Sequence, residues 1–377
     1  MSVLHKLFVS VTVFCLASCL AFATNAQGTK PPEKVVFLNY SVAPDLGDAP
    51  LWMVPYALGY FADEGLDVGI QESGGSSASL QFLAAGKGQF ASSTPDQIML
   101  ARQEGLKVTS FFEHNRAYGS ALVVTTASGI KTLDQLKAYL KGSAIGVSSL
   151  SSGRVPYARS WIRELGLKED ADVKLVAVGV GPQAAAALKT DRVRALVIYD
   201  AVYAAIEAET DVRFTRFEAD WQKPLFSGVV ATTESLLKEK PDLVARYGRA
   251  LAKALVFSTT NPEAVIRIYW QLYPENKPTD AKEKDELKRS AAIVKSMIAS
   301  WLTGMDQPDS KWGAQTAEAW KQLQDYDLKG GLVSQAKPVT DFFTDQLVSK
   351  MNDFDVEAIK NQARNFNVSM IKYTAAK

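Results

Sequence analysis

Apolar and polar positions divide this chain into three stretches of different texture. The first is an uncharged apolar run over residues 7–20, preceded by His5-Lys6 and followed by the small-large-small sequence Ala21-Phe22-Ala23, with Ala26 shortly after. That order is the pattern of a secretory signal removed near residue 26, and the run is short for a membrane span. The second stretch opens after a polar linker and runs to about residue 233. Short apolar runs at 35–38, 66–70, 90–91, 108–112, 121–125, 144–147, 173–178 and 195–199 predict strands. Segments with helical spacing lie between them. Asp48 is placed to cap a helix from Pro50, with Leu51, Val54, Leu58 and Phe61 on one face and Gly65 as its stop. Further helices are predicted at 78–85, from Thr94-Pro95, from the capping box Thr132-Leu133-Asp134-Gln135, up to about Leu165, at 183–188 and at 201–208. The third stretch, from about Glu234, is helical in pattern, with starts near Pro241, Pro262, Thr279 and Asp309.

Strands alternating with helices of this length predict an α/β fold of mostly parallel sheets flanked by helices. A faint echo between residues 80–96 and 183–201 (helix, turn, short strand, polar loop, helix) suggests two related lobes. The reading is a signal at 1–26, the first part of lobe 1 at 27–122, lobe 2 at 123–224, and a return at 225–377 that completes lobe 1 with helices. The chain would then cross between lobes near residues 120–126 and again near 223–232, where the glycine-containing stretch 226–231 suits a hinge strand.

Composition narrows the chemistry. Both cysteines, Cys15 and Cys19, lie inside the apolar leader, so the rest of the chain has no disulfide. Leu16-Ala17-Ser18-Cys19 also reads as a lipidation box, an alternative to ordinary cleavage. His114 is the one histidine beyond the leader, which leaves no His/Cys metal set and no serine or cysteine triad. No catalytic residue, metal or other cofactor is expected. Losing Lys6 with the leader leaves 41 basic against 41 acidic residues, a balance that gives no support for nucleic-acid binding. No phosphate-binding Walker loop is present, so any ATP hydrolysis would belong to a partner.

The segment Gly59-Tyr60-Phe61-Ala62-Asp63-Glu64-Gly65-Leu66-Asp67-Val68 resembles the "GxFxxEGLDV" stretch of NMT1/THI5-like periplasmic solute-binding proteins. The loop Gly74-Gly75-Ser76-Ser77, the turn within 83–91, the segment from Gly129 to Lys137 and the strand and Ser/Gly loop over 144–153 continue the similarity, which covers roughly residues 35–260. Two turns depart from the family pattern, with Gln89 and Arg194 where Asp is common. The resemblance implies a type II periplasmic-binding-protein fold. It also implies a periplasmic receptor, monomeric, that closes on a small organic molecule and delivers it to the permease of an ABC importer with its ATPase. Family members serve sulfonates, taurine, nitrate or pyrimidines, so an anionic or aromatic guest is the expectation. The alternatives are a ligand-sensing module for a membrane receptor, or an enzyme like the thiamine-pyrimidine synthases, which would need a reactive histidine and a cysteine-rich segment.

In open α/β sheets ligands sit beyond the carboxyl ends of strands, where helix N-termini expose unpaired N–H groups. Ser76-Ser77, Ser93-Thr94 and the loop with Ser148, Ser149 and Ser152 fit that place, either as ligand donors or as plain helix caps. Leu51-Trp52 begins a helix that in the family faces the cleft, so Trp52 would stack on a flat ligand or fill the core. Tyr199-Asp200 follows a strand end. Arg154 and Arg116 would pair an acid group if they are not solvated. Tyr118, Ser120, Tyr157, Ser227 and Gly228 are further cleft-edge candidates, and His114 reads as a bland loop residue.

Overall fold

The first strand, β1 (Glu33–Asn39), has β2 (Leu66–Glu72) parallel on one side and β3 (Phe90–Ser93) parallel on the other. β4 (Val108–Asn115) lies at the far edge. β10 (Gly228–Thr233) is inserted antiparallel between β3 and β4, so the order is β2-β1-β3-β10-β4. The second sheet repeats the plan. β5 (Leu122–Thr125), β6 (Ser143–Val147), β7 (Val173–Ala177), β8 (Ala195–Val197) and β9 (Phe214–Phe217) run in the order β7-β6-β8-β5-β9, with β5 as the reversed strand. In each sheet the reversed strand is the one that follows a crossing from the other sheet. The computed structural model describes residues 31–374 apart from 43–45, 119, 223–224, 308 and the side chain of 292. The leader and the Cys19 box therefore lie outside the described residues.

Among the described residues, the helices of eight residues or more are α1 (Ser76–Ala84), α2 (Pro95–Gln103), α3 (Leu133–Leu140), α4 (Val155–Glu164), α5 (Pro182–Lys189), α6 (Asp200–Glu209), α7 (Pro241–Thr260), α8 (Pro262–Leu272), α9 (Asp280–Trp301), α10 (Ala317–Lys329) and α11 (Val356–Arg364). No described helix is long and apolar enough to cross a membrane. α7 and α8 cover the outer face of the first sheet, where Phe37, Phe61, Phe90 and Phe111 surround Tyr247; the Phe90 and Tyr247 rings stack at 3.9 Å. A second core runs from the other face of that sheet into the second sheet without a break, joining Leu38, Leu80 and Ile98 to Ile145, Val155 and Trp161. A third packs α5 and α6 on the second sheet.

Two crossings join the sheets, over residues 116–121 and 218–227. They are tied to each other: the Ser227 hydroxyl donates to the Ala117 carbonyl at 2.8 Å and the Gln222 amide to the Ser120 carbonyl at 2.9 Å. The departures at Gln89 and Arg194 have structural work. The Gln89 side chain accepts the Val36 N–H at 2.7 Å, and Arg194 pairs Asp191 at 3.1 Å while donating to the Tyr139 carbonyl.

Two sequence expectations are corrected, and one strand was not anticipated. Asp48 does not cap a helix with its side chain, because its carboxylate is engaged by Asn39 at 2.9 Å and Ser41 at 2.8 Å; the turn at Ala49–Met53 is wound wider than an α-helix. Among the described residues no helix starts near Asp309. Gly313, at φ +81°, lies against the Phe112 ring and accepts the Glu113 N–H, so this segment borders β4, and α10 starts only after the Thr316 cap. The strand β9 has no counterpart in the sequence reading, because Phe214–Phe217 offers only two apolar positions.

Candidate functional site

The carboxyl ends of β1 and β8 face each other across the space between the sheets. Tyr40 follows β1 and Tyr199 follows β8; their rings lie 6.1 Å apart at 35°. Both border a cavity of about 640 Å³, within the range of small-molecule sites. The first sheet contributes the loop around Asp48 and the end of β4. The second contributes Val180 to Pro182 and one face of α6. The third wall is α9, which presents Glu286, Ile293, Met297 and Trp301. A small pocket of about 20 Å³ continues between the lobes, with Ser148, Ser149 and Ser152 on one side and Gly75 and Tyr40 on the other.

The lobes touch beside this pocket. The hydroxyls of Ser149 and Ser151 both donate to the Gly74 carbonyl, at 2.7 and 2.8 Å, and the Ser77 N–H donates to the Ser151 carbonyl at 3.3 Å. The Tyr157 hydroxyl crosses to Asp96 at 3.3 Å. Gly75 and Gly153 are required here. A Cβ on Gly75 would fall within 2.6 Å of the Ser151 backbone carbon, and one on Gly153 would overlap the Thr94 side chain.

Beneath Tyr199 lies Arg154, 1% exposed, enclosed by the rings of Tyr118, Tyr157 and Tyr199 at 5.1, 5.4 and 4.5 Å. Ring faces attract a guanidinium, more so when water is excluded. Its Nε and Nη1 have no hydrogen-bond partner, and Asp96 supplies a nearby countercharge. Burial pushes the Asp96 carboxyl up to about 6, while the Thr94 hydroxyl and the Arg154 charge pull it down. Burial likewise raises Asp200, which pairs Arg216 at 2.8 Å, and it raises Glu209, which the Glu286 charge raises further. His114, at the end of β4, is held neutral, its imidazole pushed down to about 3 by burial.

The residues singled out from sequence divide into four groups. Tyr199 and Asp200 border the large cavity, and Ser148, Ser149, Ser152 and Tyr199 the small one. Ser76, Ser77, Ser93, Thr94, Arg154 and Tyr157 lie at or under the contact between lobes: the Ser76 hydroxyl is buried without a partner, and Ser93 bonds the Thr94 carbonyl at 3.2 Å. Leu51 and Trp52 do not reach the cavity. Both are 1% exposed in the first core, where Trp52 meets Tyr273 edge-on, because the wider turn aims this stretch inward. At the crossings the Ser120 hydroxyl bonds the Ile198 carbonyl, and Gly228 passes against the His114 ring. Arg116 donates to the Ala314 carbonyl and lies 3.7 Å from Glu113. Sequence reasoning missed Tyr40, Asp48, Glu209, Glu286, Trp270 and Trp301. Tyr40 was accessible to the strand-end rule that selected Tyr199. The α8 and α9 residues carried no such signal. Among the described residues no group of histidines, cysteines or carboxylates is arranged to hold a metal.

Comparison with known proteins fits this geometry. The riboflavin-binding protein RibY of Chloroflexus aurantiacus is 23% identical over 334 residues, covering 86% of this chain and 89% of that protein. The alkanesulfonate-binding protein SsuA of Xanthomonas axonopodis pv. citri, solved with MOPS bound, superposes with a TM-score of 0.61 at 15% identity, over 84% of this chain and 99% of that one. The periplasmic nitrate-binding protein NrtA of Synechocystis gives 0.55 at 12% identity, over 91% and 92%. These neighbours are binding proteins, and they share the two-lobed periplasmic-binding-protein fold. The family described as NMT1/THI5 like matches residues 52–265, and the chain belongs to that family.

Proposed function

We propose that the protein is a solute-binding receptor that captures a small organic molecule between its lobes and delivers it to the permease of an ATP-driven importer. The observation that carries the reading is the 640 Å³ chamber, walled by elements of both sheets and placed at strand ends beside a doubly stranded crossing. Such a crossing permits rotation of one lobe on the other. A guest that touches both lobes binds the closed form better than the open one, and that difference drives closure. The Ser149, Ser151 and Ser77 bonds across the mouth lock the closed state. The closed pair of lobes then forms the surface the permease reads. The protein works in the periplasm as a monomer, and no bond is made or broken in the chamber.

The test uses protein stripped of captured solute by unfolding in urea and refolding. Adding back the released small-molecule fraction should raise the melting temperature and reduce the radius of gyration in X-ray scattering. Released material that changes neither, together with conversion of any added solute to a product, would remove the receptor reading.

A further inference from the structure

The charges around the chamber are one-sided. The described residues that line it include the carboxylates Asp48, Asp200, Glu209 and Glu286, and no lysine or arginine. Arg216 and Arg289 answer two of these carboxylates, at 2.8 Å from Asp200 and 2.5 Å from Glu286, but neither side chain lines the cavity. Arg154 stands behind the Tyr199 ring, which lines the chamber while the guanidinium does not. Glu209 and Glu286 come from α6 and α9, which pack against each other, and the Glu286 charge raises the Glu209 carboxyl. The lining is also rich in aromatic rings. Tyr40, Tyr118, Tyr199, Tyr269, Trp270 and Trp301 all border the space.

These features act in one direction on a guest. An anion would give up its water to sit beside carboxylates, with no cation in the lining to replace that solvation. Ring faces carry negative quadrupole density, which favours a cation or a flat neutral ring. A planar guest between Tyr40 and Tyr199 needs van der Waals distance on both faces, about 7 Å in all. With centroids 6.1 Å apart and planes tilted by 35°, the two rings must part slightly and turn toward parallel to take such a guest.

We infer that the chamber takes a planar aromatic guest that is uncharged or cationic, and turns anions away. This rests on the receptor reading and assigns its substrate class, against the anionic guest that the family resemblance leaves open. Negative charge in the lining acts during approach as well as after it, since like charge lowers the rate of encounter.

The test compares riboflavin with its 5′-phosphate, which has the same rings and added negative charge. Thiamine serves as a cationic ring, and methanesulfonate and nitrate as small anions. Calorimetry on stripped, refolded protein should find riboflavin or thiamine bound, and the phosphate ester at least tenfold weaker than riboflavin in low salt. That gap should narrow in high salt and in the Glu209→Gln/Glu286→Gln double variant, which separates charge from the extra bulk of the ester. Tyr199→Ala should weaken the bound ring about tenfold, and Tyr199→Phe should keep it within about twofold. Equal or tighter binding of the ester, or binding by the small anions alone, would overturn the substrate class and leave the receptor reading standing. A panel in which no compound binds, the anions included, would overturn both.

Discussion

His114 places an imidazole at 5% exposure with Nε2 unpartnered, packed against the one residue in β10 that has no side chain. A Cβ on Gly228 would come within 2.5 Å of its Cε1. Burial pushes the imidazole down to about 3, well below the ordinary 6.5. In the unfolded chain it takes a proton as pH falls through 6.5, whereas in the fold it does not. Its contribution to stability is therefore complete above pH 6.5 and is lost as pH drops toward 3. Two buried acids work the other way. Burial raises Glu113 to about 7 and Asp96 to about 6, so their cost is relieved as pH falls. The histidine's part is isolated by difference. Denaturant unfolding at pH 7.5 and 4.5 should show wild type losing about 2–3 kcal/mol more than His114→Phe. Equal pH dependence in the two proteins would mean that the imidazole is protonated in the fold.

Elements with a local stop or start signal were legible. Thr132 and Gln135 form the reciprocal cap expected of them, at 3.3 and 3.2 Å. α7 and α8 begin at Pro241 and Pro262, where a missing N–H costs nothing. The chamber wall was not legible. Ile293, Met297 and Trp301 recur every four residues along α9, the spacing of an ordinary core stripe, and nothing in that spacing distinguishes a stripe facing a cavity from one facing packed atoms. Trp52 is the reverse case: the sequence left a cleft role and a core role open, and the wide turn puts the ring in the core. How closely α7 seats on the sheet also escapes the periodic pattern. Gly248 lies mid-helix where a Cβ would overlap Met351 and come within 3.5 Å of the Phe111 ring. Gly248→Val should destabilise the fold by about 1–3 kcal/mol through overpacking, while binding by the protein that remains folded stays unchanged. A melting temperature at or above wild type would show that Met351 swings aside freely.

At the scale of the whole molecule the two glycines between the lobes decide whether the mouth can shut, and they differ in a useful way. Gly75 has φ +153°, so any substitution there strains its own loop as well as the contact. Gly153 has no such backbone constraint. Its hydrogen faces Thr94 and the Ser76 hydroxyl of the opposite lobe, and a Cβ would lie 2.9 Å from Ser76 Oγ and closer still to Thr94. Thr94 is short and branched at Cβ, so it has little freedom to move aside. A side chain at residue 153 is thus compatible with its own lobe and incompatible with the closed pair. Gly153→Val should leave ligand-free melting within a few degrees of wild type and enlarge the radius of gyration. It should also abolish compaction on adding a guest and weaken binding at least tenfold, with Gly153→Ala intermediate. The loss would come from closure alone, because residue 153 lines neither the chamber nor the small pocket. If Gly153→Val still compacts and binds as wild type does, the contact among Gly74, Ser149 and Ser151 is not what shuts the molecule, and the lobes close along some other line.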